Sequence, residues 1–293
     1  MSEARASVNP VYLVIAAVFL WSTGGLFIKS TTIDAFQLTF FRSLLAAVTV
    51  LLLTRKQGLR INFFGLLTSV IYALLLFLFV WATKKTTAAN AIFLQYTAPI
   101  YILTLGPFVI GEKFHWRDLA TVVVVLAGMS LFFVGQLRLE DYQGNTAALF
   151  SGIFLGLYIM LLRHPKAEGL NPAVAVIYGN FLLALICAPA GIPAISVMTP
   201  MDWIAVTFLG IFQIGISYIL FIKGVRGGTR PLDASLIGFI EPLLNPVWVF
   251  IFVGERPSRW ALLGGGIIIA AIAIHTVRQY SRRERRSERT GAV

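Results

Sequence analysis

Apolar stretches separated by short polar gaps fill the chain from residue 10 to residue 278. Each stretch is about 20 residues long, which is the length that an α-helix needs to cross a bilayer. The stretches are too long and too continuously apolar for the alternating strands of a membrane barrel. We therefore predict an all-α polytopic membrane protein with ten transmembrane helices. The predicted spans are 10–29, 34–54, 62–82, 87–110, 118–136, 144–163, 171–190, 202–223, 232–253 and 259–278.

The amino-acid composition supports this class. Hydrophobic residues make up 58% of the chain and charged residues only 13%, whereas about 25% of the residues of an ordinary soluble domain are charged. The first apolar stretch has no small-residue cleavage site behind it and is longer than a signal-peptide core, so we expect it to remain as a span. The single cysteine, Cys187, excludes an intrachain disulfide.

The net charge of +11 does not indicate nucleic acid binding, because the basic residues are distributed as the predicted topology requires. Of the 24 Lys and Arg residues, Arg42 lies inside a span and seventeen lie on the side that carries both termini. The other side carries six, which are Lys29, Lys84, Lys85, Arg138, Arg256 and Arg259. Because short cytoplasmic loops are enriched in Lys and Arg, we expect an inner-membrane protein with both termini in the cytoplasm.

The basic segment 279–293 is predicted to be a cytoplasmic tail. Two interpretations remain open for it. It is a solvated, disordered anchor of the topology, or it binds anionic lipid.

Two segments of the sequence resemble each other. "FLQYTAPIYILTLGPFVIGEKFHW" (93–116) and "GFIEPLLNPVWVFIFVGERPSRW" (238–260) align Pro99 with Pro242 and Glu112 with Glu255, each pair 143 residues apart. The period divides the chain into two halves of five spans, 10–136 and 144–278. An odd number of spans makes the second half enter the membrane from the opposite side, as in the inverted repeats of many secondary transporters.

The repeated pattern of an apolar run, proline, a second apolar run and Gly-Glu resembles the drug/metabolite transporter superfamily, in particular its tandem EamA-like exporters with YddG-like architecture. The "FLWSTGGLFIK" of span 1 and the arginine in "LTFFRSLLAA" of span 2 fit the same family. This resemblance implies ten helices in two inverted five-helix halves, a central cavity, and export of small metabolites or amino acids.

Glu241 lies about ten residues into span 9, which is ~14 Å deep at 1.5 Å per residue. A carboxylate at this depth normally faces a cavity or a partner, so we interpret Glu241 as a proton carrier or as a structural lock between helices. Pro242, Pro246 and Pro99 interrupt their helices. They are predicted to be hinges of the two halves or kinks that only shape the packing.

Arg42 is the other intramembrane charge, about eight residues inside span 2. Either it pairs with Glu241, or it binds a substrate carboxylate through its planar guanidinium, or it has a structural role in which it snorkels outward or bonds helix carbonyls. The sequence does not distinguish these three arrangements.

Polar and aromatic residues in several spans are predicted to line the cavity, because lipid offers no partner for an amide. The candidates are Trp21, Tyr72, Gln95, Tyr96, Tyr158, Gln213, Tyr218, Glu241 and Asn245. Small residues in span 6, Ala148, Gly152 and Gly156, are predicted to permit close helix packing.

The sequence contains no Walker A motif and no G-x-S-x-G, and its three histidines lack metal-ligand spacing. We expect no cofactor, no metal and no enzymatic activity. The favoured function is a secondary transporter of a small molecule, driven by protons or by the substrate's own gradient. The alternatives are a membrane-embedded enzyme, a lipid-handling protein and a passive channel.

Overall fold

All the secondary structure that this computed structural model describes is helical, which confirms the all-α prediction. The described residues are 9–132, 134–135, 140–253 and 258–290, and within them the side chains of 88–89, 132, 245–246, 249–250, 252–253 and 279–290 are not described. The helices are α1 (Pro10–Trp21), α2 (Gly24–Ser30), α3 (Ala35–Thr54), α4 (Phe63–Lys85), α5 (Ala88–Gln95), α6 (Ala98–Val109), α7 (Trp116–Phe132), α8 (Tyr142–Leu161), α9 (Val174–Ala194), α10 (Pro200–Phe208), α11 (Ser217–Arg226), α12 (Pro231–Ile237), α13 (Ile240–Val253) and α14 (Arg259–Thr290). A π-helix, Leu209–Ile216, joins α10 to α11.

Eight helical stretches of the described chain are long enough and apolar enough to cross a membrane. They are Pro10–Ser30, Ala35–Gln57, Phe63–Lys85, Asn90–Val109, Tyr142–Leu161, Val174–Ala194, Pro200–Arg226 and Arg259–Arg278. The fifth and ninth predicted spans are also helical but shorter. The helix α7 has 17 residues, and the ninth span is divided into α12 with 7 residues and α13 with 14. The chain is therefore a multi-pass membrane protein.

The polar residues between the spans set where several helices begin. The side chains of Asn9, Asn62 and Thr87 each accept a hydrogen bond from a backbone N–H in the first turn of the helix that follows. Asp34 and Thr199 do the same as part of reciprocal capping boxes. Such N-cap residues satisfy backbone donors that have no partner inside the helix.

The first span is broken, although the sequence predicted one continuous helix over 10–29. The helix α1 ends at Trp21 and α2 begins at Gly24. The hydroxyls of Ser22 and Thr23 donate to the carbonyls of Phe19 and Leu20, at 2.6 Å and 2.7 Å. Hydroxyls that bond back to the preceding turn bend helices, and two glycines follow at 24–25, so the break has a local cause that hydrophobicity does not reveal.

The fourth and ninth spans are broken just before their prolines. The helix α6 begins at Ala98 with Pro99 in its first turn, and α13 begins at Ile240 with Pro242 as its third residue. The sequence predicted that these prolines interrupt their helices, as hinges or as packing kinks. The structure places Pro99 and Pro242 in the first turn of a helix, where a proline removes an N–H that has no intrahelical acceptor. Pro246 falls inside α13, but its side chain lies outside the described residues.

Hydrogen bonds between loops show which helix ends share a side of the bundle. The Arg226 guanidinium donates to the carbonyls of Leu162, Ala167 and Leu170, and the Asn171 amide donates to the Gly58 carbonyl at 2.9 Å. We call this side the basic face. It carries the start of α1 and the loops 55–62, 110–115, 162–173 and 227–230.

The opposite face has its own ties between loops. The Lys29 ammonium donates to the Thr86 carbonyl at 3.0 Å, and the Thr32 amide donates to the Asp202 carboxylate at 2.8 Å. These bonds hold the ends of the first, third and eighth predicted spans together.

The basic tail is helical as far as Thr290, because α14 continues from the membrane segment without interruption. This corrects the expectation of a disordered anchor. Arg, Gln and Glu are good helix formers, and a segment that extends an existing helix avoids the cost of nucleation.

Candidate functional site

The breaks in the fourth and ninth spans meet at the centre of the bundle. The ring of Tyr96, which follows α5, packs against the ring of Phe239, which follows α12, with centroids 4.9 Å apart. The Tyr96 hydroxyl donates a hydrogen bond of 2.7 Å to Oε2 of Glu241. A Cβ on Gly238 would stand 3.0 Å from Cε1 of Tyr96 and 2.8 Å from the Ser235 carbonyl. The absent side chain of Gly238 therefore lets the two breaks approach each other.

The small residues of α8 support the break that follows α5. A Cβ on Gly152 would lie 2.7 Å from the Gln95 carbonyl, and one on Gly156 would lie 3.2 Å from the Ala98 carbonyl. The Gln95 amide donates to the Ser151 hydroxyl at 2.7 Å, and Ser151 donates to the Leu75 carbonyl at 3.0 Å. The predicted small-residue spacing thus permits backbone contact at this break and fixes the Gln95 side chain.

A small cavity of about 40 Å³ lies beside the meeting point of the breaks. Seven of its lining residues are ones that the sequence singled out, and they come from five different predicted spans. The lining consists of Trp21, Arg42, Leu75, Leu76, Phe79, Gln95, Tyr96, Leu155, Gln213, Ile214, Tyr218 and Glu241.

Arg42 is buried in this lining, with 1% of its surface exposed. One terminal nitrogen donates to the Leu76 carbonyl at 3.3 Å, while Nε has no hydrogen-bond partner among the described residues. No carboxylate of the described residues lies within 4.0 Å of its guanidinium, so the pair with Glu241 is not formed in this structure. Of the three arrangements considered from the sequence, bonding to a helix carbonyl is the one observed, without snorkelling.

The π-helix places Gln213 in the cavity. Its Oε1 is buried and has no hydrogen-bond partner in the described part of the chain, and a Cβ on Gly24 would stand 2.7 Å from its Nε2. Ser217 donates to the Gln213 carbonyl and accepts a hydrogen bond of 2.8 Å from the Trp21 indole. The break in the first span and the π-helix therefore shape the same wall. Sequence reasoning found Gln213 but missed the π-helix, a feature that often occurs at functional sites.

Three tyrosines pack against one another in tilted and edge-to-face arrangements beside the cavity. Tyr218 lines the cavity, whereas Tyr72 and Tyr158 are fully buried behind it, with ring centroids 4.9–6.0 Å apart. The Asn180 amide donates to the Tyr72 hydroxyl at 3.1 Å. Sequence reasoning did not identify Asn180. Among the sequence candidates the structure therefore sets Tyr72 and Tyr158 one layer away from the cavity. The side chain of Asn245 lies outside the described residues.

The fold and the site define the class of this protein: a helical multi-pass membrane protein whose broken helices surround a buried, charged cavity. The chain belongs to the EamA-like transporter family, which matches residues 9–134 and 143–277. This match confirms the family resemblance drawn from the repeat. The family is one of transporters, not of enzymes.

Named relatives cover most of the chain at low identity. The pseudopaline exporter CntI of Pseudomonas aeruginosa is 22% identical over 277 residues, covering 89% of this chain and 93% of the relative. A probable terminal-alkyne amino-acid exporter of Streptantibioticus cattleyicolor is 23% identical over 210 residues, covering 71% of this chain and 70% of the relative. A crystal structure of a protein superposes with a TM-score of 0.75 at 21% identity, covering 92% of this chain and 97% of the other, which shows the shared fold.

Proposed function

We propose that this chain is a secondary transporter that exports a small metabolite or amino acid across the inner membrane by alternating access. In this proposal ten transmembrane helices form two inverted five-helix repeats, 10–136 and 144–278. The helix starts support the repeat. The helices α5 and α12 begin 143 residues apart, and α6 and α13 begin 142 residues apart. Discontinuous helices at corresponding positions in two halves are typical of secondary transporters.

The observation that carries the proposal is a buried donor and a buried acceptor, on two side chains that line one cavity, which have no hydrogen-bond partner among the described residues. These atoms are Nε of Arg42 and Oε1 of Gln213. Leaving a buried polar group unpaired costs about 1–3 kcal/mol, so a molecule that supplies both an acceptor and a donor would be bound there.

An amino acid has the required groups. Its carboxylate suits the planar guanidinium of Arg42, and its ammonium group suits the Gln213 oxygen and the Glu241 carboxylate. The apolar part of the wall, which includes Leu75 and Phe79, would accept the side chain. The names of the two relatives as exporters support the outward direction.

Glu241 is the residue that we propose to exchange a proton during transport. It is 7% exposed, and its described hydrogen bond is the one from Tyr96. A carboxylate in a bilayer is costly unless it is paired or neutralised. If the hydrogen bond from Tyr96 broke during transport, the Glu241 carboxylate would therefore take up a proton. If Glu241 only locks the two breaks together, the gradient of the substrate itself drives the export.

The distribution of charge supports a topology with the basic face in the cytoplasm. Seventeen Lys and Arg residues lie on the side of the termini and six on the other side, which is the bias expected of cytoplasmic loops. Both termini are then cytoplasmic, and export would run from the basic face to the opposite face. We keep anionic lipid as a proposed partner of the basic tail.

The function is tested with the purified chain in proteoliposomes loaded with a labelled amino acid from a panel, with and without a pH gradient. Saturable counterflow, lost in Arg42→Gln, is the expected result. Flux that does not saturate would instead indicate a passive channel. An absence of any flux, together with turnover or movement of lipid, would contradict the proposal in favour of an enzyme or a lipid-handling protein.

A further inference from the structure

A cluster of charged side chains joins the two halves of the chain on the basic face. Glu112 and Asp118 belong to the first half, and Arg163 and Arg230 belong to the second. Asp118 Oδ2 lies 3.0 Å from Nη2 of Arg230, and the two Glu112 oxygens lie 3.8 Å from Arg230 and 3.9 Å from Arg163. The Gly-Glu motif of the first repeat therefore reaches across the interface between the halves.

The central pair of this cluster is largely shielded from water. The side chain of Asp118 is 9% exposed and that of Arg230 is 22% exposed. Burial acts to lower the pKa of Arg230, but Asp233, Asp118 and Glu112 together raise it. Burial raises the pKa of Glu112 against the opposing effect of Arg230 and Arg163. Shielded charge pairs are less screened by salt than surface pairs, so separating Arg230 from Asp118 in place would leave a costly buried charge.

Arg230 is positioned to act on the helix break at the centre. It is the N-cap residue of α12, a helix of 7 residues, which is ~10 Å long at 1.5 Å per residue. The other end of α12 leads directly to Gly238 and Phe239, where the two breaks meet. A displacement of Arg230 would therefore be transmitted through one rigid half-helix to Tyr96 and Glu241.

The opposite face has no equivalent of this charge cluster at the corresponding described positions. Arg230 corresponds to Thr87, the N-cap of α5, whose hydroxyl accepts only a local bond from the Asn90 amide. Asp118 corresponds to Ala261, 143 residues later. Glu255, the counterpart of Glu112, lies outside the described residues. Two repeats that exchange conformations would thus form these pairs on one face only.

We propose that Glu112, Asp118 and Arg230 form a charge-pair latch that holds the basic end of the cavity closed. This inference rests on the proposed alternating-access function. In each transport cycle the latch must open before the cavity reaches the basic face, and it closes again when the cavity opens to the opposite face. The described ties between the halves on the opposite face, such as Thr32 to Asp202 and Thr86 to Asp141, are hydrogen bonds and not ion pairs, so the latch is expected to favour closure of the basic face.

The test measures the exposure of the cavity to each side. A reporter cysteine is introduced by Leu155→Cys in a Cys187→Ala background, and labelling by a membrane-impermeant thiol reagent is timed in right-side-out and inside-out vesicles. We expect Arg230→Gln and Asp118→Asn to raise the labelling rate from the basic face about tenfold, within the usual range of conformational coupling. Labelling from the opposite face is expected to fall.

Arg226→Gln is the matched control, because this arginine lies on the same face but its described hydrogen bonds stay within the second half. The control is expected to label like the parent. The exchange Asp118→Arg with Arg230→Asp is expected to restore the parent rates. A misfolded variant would label faster from both faces, which separates folding defects from an opened latch.

Equal labelling of Arg230→Gln, Asp118→Asn and the Arg226→Gln control would overturn the latch. Because labelling does not require transport, this result is independent of the flux assay. A chain that shows the labelling changes but no counterflow would overturn the proposed function and leave the charge pairs as a conformational lock.

Discussion

At the scale of single residues, the site depends on polar groups that the protein leaves partly unpaired. Among the described residues, Nε of Arg42 and Oε1 of Gln213 have no hydrogen-bond partner, although both side chains are buried. Buried polar groups are normally satisfied. Five other buried polar atoms of the described residues are also unpaired, but these two belong to side chains that line the same cavity as Tyr96 and Glu241, which supports its proposed assignment to the substrate.

Replacing Arg42 tests its role in binding. We expect Arg42→Ala to lower counterflow at low substrate concentration by about 10- to 100-fold, because a hydrogen bond to a charged group is worth about 1.5–3 kcal/mol. Leu44→Ala, at an exposed position of the same helix, should transport normally. Glu241→Gln should not rescue Arg42→Ala, since the two residues are not paired here. A rescue would restore the ion-pair hypothesis.

Replacing Glu241 tests proton coupling. Glu241→Gln keeps an acceptor for the Tyr96 hydroxyl but removes the exchangeable charge. We expect this variant to retain counterflow and to lose substrate accumulation driven by a pH gradient, as measured in proteoliposomes over a range of pH. Wild-type accumulation with an unchanged pH dependence would show that Glu241 is a structural lock.

At the scale of elements, the site is built where the membrane helices are broken. The prolines mark the fourth and ninth spans, but the breaks themselves lie at 96–97 and 238–239, before Pro99 and Pro242. The first span has a third break, and the eighth contains the π-helix. Each irregularity occurs beside the cavity, where other parts of the protein can satisfy the backbone groups that lipid cannot.

Gly238 is a position between two helices where an added side chain would clash with both of its neighbours. We expect Gly238→Val to reduce transport strongly and to cost about 1–3 kcal/mol of stability, the usual range for overpacking. The reason is the predicted clash of a Cβ with Tyr96 and the Ser235 carbonyl. Gly266→Ala in α14 is the control, because no atom lies within 4 Å of its added Cβ. Thermal unfolding in detergent, followed by intrinsic tryptophan fluorescence, would measure both variants, and equal melting temperatures would contradict the packing argument.

At the scale of the whole molecule, the two halves differ where an ideal repeat would be identical. Glu241 corresponds to Ala98, and Arg230 corresponds to Thr87. The shared positions, such as Pro99 and Pro242, begin helices in both halves. The shared prolines therefore serve the scaffold, whereas the proposed proton carrier Glu241 and the central latch pair, Asp118 and Arg230, have no counterpart of the same type in the other half.

The proposed topology is testable with reporter fusions. We expect a fluorescent protein to be active when fused after residue 57, 166 or 293, and alkaline phosphatase to be active when fused after residue 32 or 199. The seventeen basic residues on the side of the termini supply the physical reason. The reverse pattern would place the basic face outside the cell and would reverse the direction assigned to transport.

The sequence by itself determined the class, the positions of the helical stretches and the pairing of the two segments around Pro99 and Pro242. These features depend on local hydrophobic length and on motif spacing, which are readable without a fold. The sequence also identified most of the cavity residues, since a polar side chain in an apolar span has few environments available to it.

Only the tertiary structure decided which of these side chains meet. The sequence allowed Arg42 to pair with Glu241. In the folded chain, Arg42 instead donates to the Leu76 carbonyl, and Glu241 accepts from the Tyr96 hydroxyl. The packing of the helices also places Tyr72 and Tyr158 behind the cavity, and it brings the Glu112 carboxylate close to Arg230. Contacts between distant segments depend on how helices rotate and approach, and small residues such as Gly238 and Gly152 control that approach without leaving a signal in hydrophobicity.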